Sequence, residues 1–161
     1  VIQVLIITKI FKIMIKSIQD LAMQPIDTPE TIKENWSEKD LKLVKFLDDK
    51  VVEIDLGSSK QVFIKHTRET ITTSEILDEE NPVSHEKEID YAYSIVCKKP
   101  VTYGRLINAA IRQEFSAEDG EIEAINRKRF TDPSDPEITA HDTFVKWVKA
   151  GLKEIGWKGD E

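Results

Sequence analysis

The chain has 161 residues, 40% of them hydrophobic and 33% charged, with a net charge of −7. This length and composition fit one folded domain with a sizeable core and exclude a disordered chain. The acidic balance repels phosphate backbones, which excludes nucleic-acid binding driven by overall charge.

The opening stretch "VIQVLIITKIFKIMIKSI" is strongly apolar, but Lys9, Lys12 and Lys16 interrupt it. Its longest apolar run falls well short of the roughly 20 residues that span a bilayer. A secretory leader carries its charges before the apolar run, and here they lie within or after it. Met14 is a candidate natural start, which would make residues 1–13 an upstream extension of a domain over 14–161. The alternative for this stretch is a β-strand or an interfacial amphipathic helix.

Residues 14–49 read as a helical segment broken at Pro25 and Pro29. In "WSEKDLKLVKFLDD", Ser37 suits an N-cap and Asp40 favours the positive helix end. Trp36 and Leu41 have the spacing of a hydrophobic staple, and Leu41, Val44 and Leu47 continue a helical stripe.

Residues 50–98 read as β-structure. "KVVEIDL" and "QVFIKH" flank "GSSK", which predicts a hairpin. "ETITTSEI" is a candidate third strand, and "LDEENPVSHEKE" an acidic loop or hairpin tip. In "EIDYAYSIVCKK", Ile89, Tyr91, Tyr93, Ile95 and Cys97 alternate onto one face, with Asp90, Ala92, Ser94 and Val96 on the other. Short links between these segments predict an antiparallel meander.

Residues 102–157 read as three helices. Thr102 is the expected cap of the first, with Leu106, Ile107, Ala110 and Ile111 on its apolar face. "AEDGEIEAINRKRF" is the second, weakened by Gly120. "TDPSDPEI" is a turn, with Asp135 capping the third helix and Pro136 at its first position. Gly156 is the expected stop, with Trp157 folding back. The fold class is therefore α+β: an antiparallel sheet of three to four strands between an N-terminal helical segment and a C-terminal three-helix segment.

Chemistry-bearing residues are sparse. His66, His85 and His141 lack the paired spacing of zinc ligands, and no metal or cofactor is expected. Cys97, the single cysteine, precludes an intrachain disulfide and suits a reducing, cytoplasmic compartment. As a nucleophile it would need a histidine, but its alternation places it on a buried strand face. Tyr91, Tyr93 and Phe63 form a candidate aromatic stripe, read first as core and second as a base-stacking surface. His141 and Asp142 are adjacent on a helix and diverge by about 100°, so they are not expected to face each other. "NRKRF" brings Arg127, Lys128 and Arg129 towards Arg105 and Arg112, a candidate local basic face for nucleic acid. Trp147 and Trp157 mark the last helix as a candidate partner surface.

Two resemblances add expectations. "VEIDLGSSK" resembles the first phosphate-binding turn of the actin and sugar-kinase superfamily, which would put Asp55 at a metal and Gly57 to Lys60 at phosphate. A hairpin turn is the favoured reading, because that fold needs a second lobe. "YAYSIVCKKPVTYGRLINAAI" with "AHDTFVKWVKAGLKEIGW" is similar to small uncharacterised proteins of prophage-like regions in gut bacteria. This implies a virion-assembly or mobile-element accessory role, virion-associated if phage-derived, without known catalytic residues. The leading expectation is a non-enzymatic assembly or interaction protein with a protein partner or self-association and no membrane. A nucleic-acid-binding accessory protein is the alternative.

Overall fold

The computed structural model describes residues 21–75, 83–115 and 120–159. The readings of residues 1–13 and of the second helix's start at 117–119 lie outside them, as does 77–82 of the acidic loop read over 77–88; the rest of that loop, Val83–Glu88, is instead strand, because it pairs with the far end of β4. Strands β4 (Ser59–Glu75) and β5 (Val83–Lys98) pair antiparallel from Ser59 opposite Lys98 to Glu75 opposite Val83. β3 (Lys50–Asp55) joins the other edge of β4, and β2 (Val44–Leu47) joins β3. β1 (Gln24–Ile26) closes on β5, so the sheet order is β1-β5-β4-β3-β2. Helices α1 (Pro29–Asn35) and α2 (Glu38–Leu41) precede the meander, and α3 (Tyr103–Glu114), α4 (Glu121–Thr131) and α5 (Pro136–Glu154) follow it.

The sheet is buried on both faces at its centre. Val62 and Ile64 point with Tyr93, Ile95 and Cys97 into a core completed by Leu106, Phe144, Val148 and Leu152 of α3 and α5. Phe63 and Ala92 point the other way, into a smaller core with Val51, Val44 and Ile32 of α1. Period-two alternation sends neighbours such as Val62 and Phe63 to opposite layers, so a continuous apolar run is needed where both layers are covered. Phe63 and Tyr93 consequently lie on opposite faces, and the three aromatic residues form no single stripe.

Among the described residues five strands stand where three to four were expected, because two lie in the segment read as helical. α2 ends after one turn at Leu41. Val44 then buries itself in the smaller core, and β2 turns into β3 through Asp48 and Asp49, with Leu47 opposite Lys50. Asp48 adopts φ 53°, a conformation aspartate tolerates better than most residues. Sheet pairing with β3 outweighs the helical stripe of Leu41, Val44 and Leu47. Pro25 sits in edge strand β1 opposite Tyr91, where its missing N–H costs no ladder bond.

The helix ends follow local chemistry. Ser37 Oγ and Thr102 Oγ1 each accept from the backbone N–H three residues on, at 3.2 Å. Asp135 accepts from Glu137 N at 2.8 Å, with Pro136 opening α5. At the far end Gly156 takes φ 100°, and Trp157 N donates to Leu152 O at 3.0 Å, a Schellman closure.

β4 carries a bulge after Ile64: Ile64 faces Tyr93, but Thr67 faces Tyr91. One extra residue is absorbed there, with Lys65 at φ 56°. Beyond it the His66 ring donates from Nε2 to Val51 O at 2.7 Å, replacing a ladder bond between diverging strands. Burial lowers the His66 pKa, consistent with a neutral ring. Arg68 then ties the root of the β4–β5 arm, bonding buried Asp90 at 2.6 and 3.2 Å and Asp49 at 2.6 Å.

At the bulge, α5 comes closest to the sheet through Gly151. A Cβ there would lie 3.0 and 3.1 Å from Ile64 side-chain carbons and 3.3 Å from Lys65 Cε. Gly151→Val is therefore expected to destabilise the protein by about 2 kcal/mol or more through overpacking. Gly104→Ala, with open space around it, is the control and should be near neutral. Thermal or urea denaturation checks this; equal stability of the two variants would contradict the close packing.

Candidate functional site

Along the outer edge of β5, pairing with β1 stops at Ala92. The next backbone groups are met by a side chain. Gln113 Nε2 donates to Ser94 O, and Val96 N donates to Gln113 Oε1, each at 2.9 Å. One amide thus replaces a peptide unit of a missing strand. Past it, a groove of about 470 Å³ opens between Val96–Lys98 and α3.

The groove wall follows from the helical period. Arg105, Asn108, Ala109, Arg112 and Gln113 recur at steps of three and four and line the groove. On the other stripe Leu106, Ile107, Ala110 and Glu114 are buried. Among the described residues no carboxylate lines the groove, and Lys98, Arg105 and Arg112 have no acidic partner. Three exposed cations with uncompensated charge therefore share a concave surface on an acidic protein.

Beneath the groove, Tyr93 OH donates to Glu114 Oε1 at 2.9 Å and accepts from Gln113 Nε2 at 3.3 Å. Burial first, and then the Glu114 charge, push the Tyr93 pKa up, so the phenol remains a donor. Glu114 is 4% exposed, and among the described residues its Oε2 has no hydrogen-bond partner. The phenol therefore both steadies Gln113 at the strand edge and supplies the hydrogen bond that Glu114 Oε1 accepts.

The five cations singled out from the sequence are divided by the fold. Arg105 and Arg112 meet at the groove. Lys128 is neutralised by Glu137 at 2.9 Å and Asp135 at 3.4 Å, and Arg129 by Asp142 at 2.6 and 3.0 Å. Arg127 is exposed on α4 and does not line the groove. Trp147 and Trp157 are half-buried against the main core, Trp147 with its ring edge-on to Tyr93 at 5.4 Å. Neither offers the free aromatic surface expected of the last helix.

Other sequence candidates are engaged locally. Asp55 accepts from Gly57 N at 2.8 Å and pairs with Lys99 at 2.9 Å, closing the β3–β4 turn. Cys97 is buried beneath the groove. The histidines lie on three separate elements, and among the described residues no cluster of histidine, cysteine or carboxylate suits a metal. His141 packs on Phe115 at 5.0 Å between ring centres. Contrary to expectation it also meets its neighbour, with Nδ1 at 3.3 Å from Asp142 Oδ1. Arg129 reaches both residues and draws the two side chains together, overcoming the divergence of their helical positions. Sequence reasoning missed Lys98, Asn108 and Gln113; the last two were visible as the polar stripe opposite Leu106 and Ala110. No family model, curated protein or solved structure matches this chain.

Two outcomes follow from these networks. Tyr93→Phe removes the donor to a buried carboxylate and should cost about 1–3 kcal/mol in chemical denaturation; an unchanged midpoint would refute the role given to the phenol. Arg129, with His141 adding to it, holds Asp142 at about 2, below its ordinary 3.8. A depressed carboxylate pKa stabilises the fold above the ordinary value, and that part is lost as pH falls from about 4 towards 2. Arg129→Met should lose less stability than the wild type across that window; parallel losses would contradict the ion pair's contribution.

Proposed function

We propose that the chain is a non-enzymatic interaction protein that receives an acidic partner protein in the groove between β5 and α3. The observation that carries this reading is the set Lys98, Arg105 and Arg112, uncompensated among the described residues in a groove that no described carboxylate lines, on a chain of net charge −7. The net negative charge of the chain disfavours an acidic partner elsewhere while such a patch attracts it, which gives orientation as well as attraction. Nucleic acid is the competing ligand for the same cations. It is disfavoured because a long polyanion meets the acidic remainder of the surface, and because Lys128 and Arg129 already neutralise carboxylates of their own chain. The similarity to prophage-region proteins would make the partner a component of particle or mobile-element assembly.

A photo-cross-linking residue introduced at Asn108 tests this in the cells that make the protein. The expected result is a discrete protein adduct, mapped to an acidic segment, that disappears when Arg105 and Arg112 are both changed to Glu. An adduct with nucleic acid, or a protein adduct indifferent to the charge reversal, would overturn the proposal.

A further inference from the structure

We infer that the partner binds as an added β-strand: an extended, acidic segment pairs with β5 at Val96–Lys98 and places its carboxylates on Arg105 and Arg112. This rests on the proposed function and specifies its mode of recognition. In β5 the residues whose backbone groups point outward are fixed by Val96 N, which bonds Gln113. The alternation of an antiparallel ladder then also turns Val96 O and Lys98 N outward. Among the described residues neither has a hydrogen-bond partner. One rung earlier Ser94 O accepts from Gln113 Nε2 and Val96 N donates to Gln113 Oε1, each at 2.9 Å, so the edge has the geometry that a peptide unit needs. Exposed strand edges of this kind recruit extended segments by main-chain bonding, with alternate side chains read by neighbouring surfaces.

Those surfaces differ on the two sides of the added strand. Towards α3 stand Arg105 and Arg112, seven positions apart and so about 10.5 Å along the helix axis. Carboxylates two or four residues apart on a strand lie about 7 and 13 Å apart and bracket that spacing. On the opposite face Val96, 47% exposed, offers an apolar cross-strand neighbour. The sequence that fits alternates acidic residues with β-branched ones. Charge decides among extended segments: Lys98 at the edge and the two arginines favour an acidic strand and repel a basic one.

A short acetylated peptide alternating Glu and Thr is the probe, titrated by calorimetry into the full chain while backbone amide exchange is followed by NMR. The expected result is binding that falls about ten-fold or more in Arg112→Glu, slowed exchange at the Lys98 amide, and no binding of an alternating Lys and Thr peptide. Binding that leaves Lys98 exchange unchanged would overturn strand addition while leaving the acidic-partner reading standing. Binding of oligothymidylate without binding of the peptide would overturn both, as would peptide binding undiminished in Arg112→Glu. No binding of the peptide to protein whose spectrum shows it folded would sink strand addition. A concentration-dependent dimer dissolved by Arg112→Glu would make a second copy the occupant and overturn the choice of a different protein.

Discussion

The pairing of β4 with β5 is the interaction on which the rest of the molecule depends. Its ladder runs from Ser59 opposite Lys98 to Glu75 opposite Val83. At the Ser59–Lys98 end the strands hold the residues of both cores; at the other they run on as an arm. β3 and β1 attach to its two edges, and helices pack on both of its faces. An isolated two-stranded ribbon is marginal in water, so this pairing persists because Val62, Phe63, Ile64, Tyr93 and Ile95 are buried by what docks on it.

One irregularity sets how the layers meet. The bulge after Ile64 lets β4 turn away from β3, exposes the Val51 carbonyl to the His66 ring, and brings Ile64 against Gly151. The same kink swings Lys65 over the Trp147 ring, at 5.8 Å, and within 3.6 Å of Glu154. A helix without side chain at Gly151 and a strand with one residue too many are thus matched defects. Each is costly alone, and together they allow α5 to lie close to the sheet.

Charge is paired in the same manner at several points of the fold. Arg68 meets Asp90 and Asp49, Lys99 meets Asp55, and Lys128 and Arg129 meet acids on or beside α5. Those pairs that are exposed stabilise little, but they cancel fields locally. At the β5–α3 groove the cations are left uncancelled, beside strand-edge groups that a side-chain amide only partly occupies. Among the described residues, uncompensated charge and incomplete backbone pairing coincide at this groove.

Much of this was legible before the fold was known. Alternation over Tyr93–Cys97 picked out the residues of β5 that face the main core, though Ile89 and Tyr91 of the same stripe lie beyond it, and the caps at Ser37, Thr102 and Asp135 and the stop at Gly156 were readable because each depends on a few adjacent residues. The "LVKFL" segment was not, since its residues fit a short helical stripe and a strand equally, and only pairing with β3 chose between them. Nor could spacing separate Arg112 from Arg129, two cations on neighbouring helices. By itself the sequence determined the α+β class, the apolar faces of the central strands and the C-terminal helices, and the caps of those helices, all governed by contacts within a turn or along a strand. Tertiary structure alone decided that Arg129 lies against Asp142 while Arg105 and Arg112 face an open strand edge, because ion pairing and edge exposure depend on what distant segments bring alongside.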